Sequence, residues 1–218
     1  TFISDITFNS VTVGKGANSV DGNTAVGQNA LDAATTGDVN VAVGKNALTD
    51  LTTGASNVAV GKDAGANITT GDNNTAIGQG ALTTQTTADN NTAVGKDALT
   101  ANTSGYRNVA VGTRAAKTIT TGNSNVAIGY ESLEFTTTGS QNVAIGHQAL
   151  EANTTADSNI AIGNAAMVSN TTGNNNVAIG QQALDANTAG SQSIAIGSQA
   201  LGAQNGDVKN IAVGYRAL

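Results

Sequence analysis

The chain has 218 residues, a net charge of −6, no Cys, no Pro, no Trp and only 3% aromatic residues. The absence of Cys excludes disulfides and thiolate metal sites, and so few aromatic rings cannot build a large globular core. The nine Lys and Arg residues form no basic stripe, which argues against nucleic-acid binding, and no apolar run is long enough to cross a bilayer as a helix.

Residues 1–9 read as a lead-in strand, and residues 10–218 as one repeat domain of about twelve coils, expected to be a section of a longer fibre. The first copy of the repeat motif is Val11-Thr12-Val13-Gly14. The motif Asn-Val-Ala-Val/Ile-Gly then places its glycine at Gly27 and every 17 residues after it, through Gly44, Gly61 and onward to Gly214. A period this strict means one structural unit copied along an axis, a solenoid. The absence of proline fits continuous β pairing, because proline removes a ladder donor.

Within the repeat, Ala stands two before the glycine in all twelve in-phase copies, and only Val or Ile stands one before it. Val-Ala-Val is a short β-branched run and reads as a strand. Alternation along a strand puts the Ala and the preceding Asn on one face and the two β-branched residues on the other. The invariant Ala suits a narrow interior. The opposite face, carried by Val43, Val60, Ile77, Val94, Val111, Ile128, Ile145, Ile162 and Ile179, is apolar as well. A flat coil has one interior, so this second apolar face implies a partner, and a cyclic homo-oligomer formed along it is the expectation. The column Asn40, Asn57, Asn74, Asn91, Asn108, Asn125, Asn142, Asn159 and Asn176 reads as a coil-to-coil amide ladder. After the glycine come an Ala and a Leu, then a Thr-Thr-Gly-like turn. The motif glycine itself is expected to supply a positive φ at the bend.

The run Asn-Val-Ala-Ile-Gly-x-x-Ala resembles the head repeat of YadA-type trimeric adhesins. The longer form here, Asn125-Val126-Ala127-Ile128-Gly129 followed by Thr137-Thr138-Gly139, is similar to repeats of phage tail-fibre proteins. The resemblance covers residues 10–218 and implies an all-β fold, a parallel β-solenoid of left-handed β-roll type, assembled as an intertwined or side-by-side homotrimer. The period of 17 exceeds the roughly 14 residues typical of YadA heads, so a longer turn is expected. Handedness rests on the resemblance alone, since the general crossover rule favours the right-handed form.

Residues that could carry chemistry are few. His147 is the single His and follows a motif glycine in a column that also holds Lys45, Lys62, Lys96, Gln181 and Ser198, a variable surface position. Glu134 and Glu151 share a column of adjacent coils, about one strand spacing (~4.8 Å) apart, near the separation used by retaining glycosidases. Asp72 and Asp89 share a turn column that could hold Ca²⁺, although turn Asp is far commoner than a cation site. Tyr130, Glu131 and Phe135 interrupt an otherwise small, polar coil and are the candidate ligand contacts. No phosphate-cradling or dinucleotide motif occurs.

The expected function is a non-enzymatic structural or adhesive trimeric fibre segment without cofactor or metal. Its most natural setting is a phage tail-fibre shaft or head that attaches to a cell-surface receptor or glycan. The alternatives are the head of a bacterial trimeric adhesin and, from the Thr columns or from Glu134 and Glu151, an ice-binding or polysaccharide-cleaving solenoid. A virion or extracellular location is expected, with no membrane insertion in this segment.

Overall fold

The computed structural model describes residues 6–203, 206 and 209–218. Among these, one sheet of fourteen strands runs in strict sequence order. Strand β3 (Thr24–Gly27) begins a parallel stack that passes through β4 (Val41–Val43) and ends at β14 (Ile211–Val213). Successive strands pair in register one repeat apart, as in Val41↔Val58, Ala42↔Ala59 and Val43↔Val60. The stack is therefore a parallel β-solenoid, with eleven 17-residue coils between Gly27 and Gly214.

The start of the chain departs from this pattern. Strands β1 (Ile6–Phe8) and β2 (Val11–Gly14) form an antiparallel hairpin, and β2 lies antiparallel on β3, with Val13 opposite Val26. The early motif copy is thus a strand of the sheet but not a coil of the solenoid. The reason is length. Residues 15–23 separate β2 from β3, too few to make a full circuit, which takes residues 44–57 between β4 and the next strand. The short link reverses instead, through the left-handed residues Gly16, Asn18 and Ser19.

Each coil devotes three residues to a strand and the rest to turns. The strand Ala column, from Ala25 to Ala212, is at most 4% exposed. It packs with the second Ala column after the bend and with Leu31, Leu48, Leu82, Leu99, Leu133 and Leu150 in one continuous core. Burying each such Leu contributes roughly 1.5–3 kcal/mol, while the Ala pair keeps the coil flat. In most coils three non-glycine residues adopt left-handed φ values, for example Arg114, Ala116 and Ser124, and Gly65 and Gly80 take two such places. Each costs roughly 1–2 kcal/mol in isolation, and inter-coil hydrogen bonds on both sides hold them there.

The motif glycine explains its own constancy. Its φ lies between 127° and 148° in every in-phase copy. A Cβ at Gly27 through Gly197 would stand 2.3–2.7 Å from backbone carbonyl atoms of the glycine one coil on. No side chain fits there, because the obstruction is backbone in a stack whose pitch is set by hydrogen bonds.

The Asn column sits directly inside the strand and is almost fully buried. From Asn40 onward the backbone N–H of each Asn donates to the Oδ1 of the Asn one coil back at 2.8–3.0 Å. Its own Nδ2 donates at 2.7–2.9 Å to a turn carbonyl fourteen residues on, such as Gly54 for Asn40 and Gly122 for Asn108. Each amide thus ties three coils together and satisfies buried backbone groups that the narrow interior would otherwise strand.

Candidate functional site

Three surfaces run along the solenoid. The first is the outward face of the sheet. Of the nine β-branched residues expected at an interface, Val43, Val60, Val94, Val111, Ile145 and Ile162 are half-buried, while Ile77, Ile128 and Ile179 are 36–38% exposed. With the Val and Thr residues two positions earlier they make an unbroken apolar strip, uncovered in the single chain. Strips of this size are uncommon on isolated soluble chains.

The second surface lies around the coil that carries Tyr130, Glu131 and Phe135. Tyr130 and Phe135 are 46% and 47% exposed, but Glu131 is turned inward, at 8%. That inward placement differs from the expectation of an exposed contact. Its cause is Arg114, one repeat earlier in the same column: Nη1 donates to Glu131 Oε1 at 2.5 Å, and Nη2 reaches Glu134 Oε1 at 2.6 Å. Gln148, one repeat later, donates to Glu131 Oε2 at 3.1 Å. Carboxylate oxygens of Glu131, Glu134 and Glu151 all lie within 4.8 Å of one another.

The electrostatics of this cluster are divided. A hydrogen bond from Tyr130, with those from Gln148 and the Arg114 charge behind it, holds the Glu131 carboxyl below its ordinary value against the opposing effect of burial. Burial, then the neighbouring Glu131 and Glu134 charges, push Glu151 up. The Tyr130 and His147 rings stack across the coil boundary, 5.6 Å apart and 9° from parallel, and Asn164 Nδ2 lies 3.3 Å from His147 Nδ1 beyond them. The ring faces are thus turned along the rod toward neighbouring coils.

Chemically the cluster is an ion-pair knot. The three carboxylates have a spacing that could surround a cation, but the forked Arg114 guanidinium already supplies the positive charge on two of them. Glu134 stands near Glu151, as one-coil stacking requires, yet it is 1% exposed and capped by Arg114. That leaves no open path for a substrate carbon to reach it. Arg114 was not singled out in the sequence, although the rule that aligned Glu134 with Glu151 also places it 17 residues before Glu131.

Other candidate columns are occupied by inter-coil bonds. Asp72 Oδ1 accepts from the Ala55 N–H at 2.7 Å and Asp89 Oδ1 from the Asp72 N–H at 2.8 Å, so both carboxylates continue a turn ladder. In most turns the first Thr donates its hydroxyl to the carbonyl of the matching Thr one coil on, as Thr52 does to Thr69 at 3.0 Å. An inner polar column also emerges that sequence reasoning missed: Gln85, Asn102, Asn153, Asn170 and Asn187 are buried where other coils place Leu51, Ile68 or Ile119. Gln85 Oε1 accepts from both Asn91 and Asn102 at 3.0 Å, which is how a core site tolerates amides.

The third surface is a shallow channel between the column holding Asn46 and Asp63 and the column holding Asp50 and Asn67. Arg114, Glu131, Glu134 and Glu151 fill it at mid-rod. Toward the N-terminal end it opens into a groove of about 350 Å³ whose floor includes Ala66. A second concavity of about 420 Å³ lies toward β14 beside Gln182, Gln199 and Arg216. Among the described residues, no helix is long and apolar enough to cross a membrane. No protein-family model, curated protein or solved structure matches the chain.

Proposed function

We propose that this chain is a section of a non-enzymatic trimeric fibre, wound left-handed, that attaches to a host surface, with a virion tail fibre as its setting. The observation that carries the proposal is the half-exposed Val/Ile strip continuing along all eleven coils. Covering nine half-exposed β-branched side chains contributes roughly 10 kcal/mol per protomer, comparable with the roughly 4–15 kcal/mol lost on association. The earlier Val and Thr column adds to the favourable side. Supporting this is the repeat itself, which resembles the trimeric adhesin and tail-fibre repeats over residues 10–218. In such a fibre the function is shape. Eleven coils give a rod of roughly 50–55 Å, lengthened simply by adding repeats, and the Asn, Thr and turn ladders resist local opening.

Light scattering on the purified chain tests the assembly. A mass three times the 21.4 kDa of one chain is expected. Ile145→Asp, which would place an unpaired charge in the strip, is expected to dissociate or unfold the assembly. A folded, soluble wild-type monomer at micromolar concentration would overturn the proposal.

A further inference from the structure

We propose that the groove over Gly65 and Ala66 binds a neutral saccharide of one or two rings. The inference rests on the attachment reading above and names where on the rod a glycan is held. Three departures from the repeat fall near this spot, and one of them, Ala66, lines the groove. Gly65 stands where most coils have Leu, Ala66 where the adjacent coils have Thr49 and Thr83, and Gly80 where the column through Asn46 and Asp63 would continue. Ala66 removes side-chain volume from the groove floor, while the space beside Gly80 is taken by the Asp97 carboxylate, 2.7 Å from where a Cβ would stand. A Cβ at Gly65 would meet the tips of Leu48 and Ile68, at 3.0 and 3.1 Å, so the loss of Leu is filled from inside by those neighbours.

The lining is polar and partly unspent. Asn46 Nδ2 donates to Asp63 Oδ1 at 2.8 Å, and the Thr83 hydroxyl donates to the Asp63 carbonyl at 3.1 Å, which makes one wall rigid. The other wall carries Asp50 and Asn67, exposed side chains that have no hydrogen bond or ion pair to another described residue. They stack one coil apart, about 4.8 Å, close to the separation of two hydroxyl oxygens placed 1,3 on a pyranose ring. A carboxylate accepts from sugar hydroxyls, and a carboxamide both donates and accepts. The volume suits a ring or two. Asp50 and Asp63 stand in the groove with one cation beside them, Lys62, 3.5 Å from Asp63. That excess of negative charge disfavours sialic acid and uronates, hence a neutral ligand. At mid-rod the same channel is plugged by the Arg114 knot, which separates this groove from the concavity beside Gln182, Gln199 and Arg216.

The test is titration of the assembled wild-type protein with maltotriose, cellotriose, mannotriose, N,N′-diacetylchitobiose, 3′-sialyllactose and calcium chloride, by saturation-transfer NMR and calorimetry. At least one neutral sugar is expected to bind with millimolar affinity or better. The double variant Asp50→Ala/Asn67→Ala and the groove-filling variant Ala66→Gln should each weaken it at least tenfold, with unchanged melting temperatures. Asp32→Ala, in the same column as Ala66 but outside the groove, should leave it unchanged. The proposal is overturned if no neutral sugar binds, if binding survives both groove variants, or if only sialyllactose or calcium alone binds. Either groove variant alone carries the test should the other fail to fold. A trimer by light scattering that binds none of the neutral sugars would refute the groove and leave the fibre reading standing.

Discussion

Replacing Gly112 with Ala is the most direct probe of why the glycine period does not slip. The added Cβ would stand 2.4 Å from the carbonyl oxygen of Gly129 and 2.7 Å from its carbon, at a φ of +138°. Both atoms are backbone, held in the ladder by the Gly129 N–H bond to the Val111 carbonyl at 2.8 Å. Relief therefore requires the next coil to move by several tenths of an ångström, which breaks register on both sides. The dihedral strain costs roughly 1–3 kcal/mol and the overpacking a further 1–3 kcal/mol. At about 2–4 °C per kcal/mol for a chain of this length, the melting temperature should fall by roughly 10–15 °C. Gly80→Ala is the control. Its φ is +70°, a region that Asn and Asp occupy in the same column, and its Cβ would meet the movable Asp97 carboxylate at 2.7 Å. It should cost about 1 kcal/mol or less. Circular-dichroism melts of both variants decide the matter. Equal losses, or a Gly112→Ala protein as stable as wild type, would refute the backbone-clash account.

Two further perturbations test the turns and the charge knot. Val39 is a β-branched residue at a φ of 56°, in a column where other coils place Ser56, Asn73 and Asn90, and it is 58% exposed. Val39→Asn should stabilise the fold by about 1 kcal/mol, seen as a melting temperature raised by a few degrees. For Glu151 the sign follows from its raised pKa. The native state binds the proton more tightly than the unfolded chain does, so ionisation above the folded pKa destabilises the wild type. Below the ordinary value near 4.5 both states are protonated and the effect vanishes. Glu151→Gln should therefore melt higher than wild type at about pH 7 and lose that advantage by about pH 4. An advantage that grows on acidification would contradict the carboxylate crowding described here.

Much of this molecule is legible from single columns. The Ala at position −2 and the Leu after the bend declare the interior because nothing polar ever replaces them. The 17-residue offset alone predicts which side chains meet, which is why the Glu134–Glu151 approach could be read directly. The reading failed where a column does not speak for itself. Glu131 looked like an exposed contact because the Arg that draws it inward lies one coil away, in a column that most coils fill with Asn, Asp or Gln. The amides at Asn102, Asn153 and Asn170 do not announce their burial, because the column that other coils fill with Leu or Ile changes here to polar side chains. Only a Gln85-type bonding network reveals that amide and aliphatic side chains share one buried slot.

The sequence by itself determined the repeat, the strand and its two apolar faces, since a fixed period and β-branched alternation leave no other regular arrangement. Tertiary structure decided the rest. It turned the first motif copy antiparallel, because its link to β3 is too short for a circuit. It made the motif glycine obligatory through a backbone contact between coils, a distance that no single repeat contains. It also decided which polar side chains are spent on neighbouring coils and which, like Asp50 and Asn67, are left facing solvent. Those outcomes depend on how large the side chains one coil above and below happen to be.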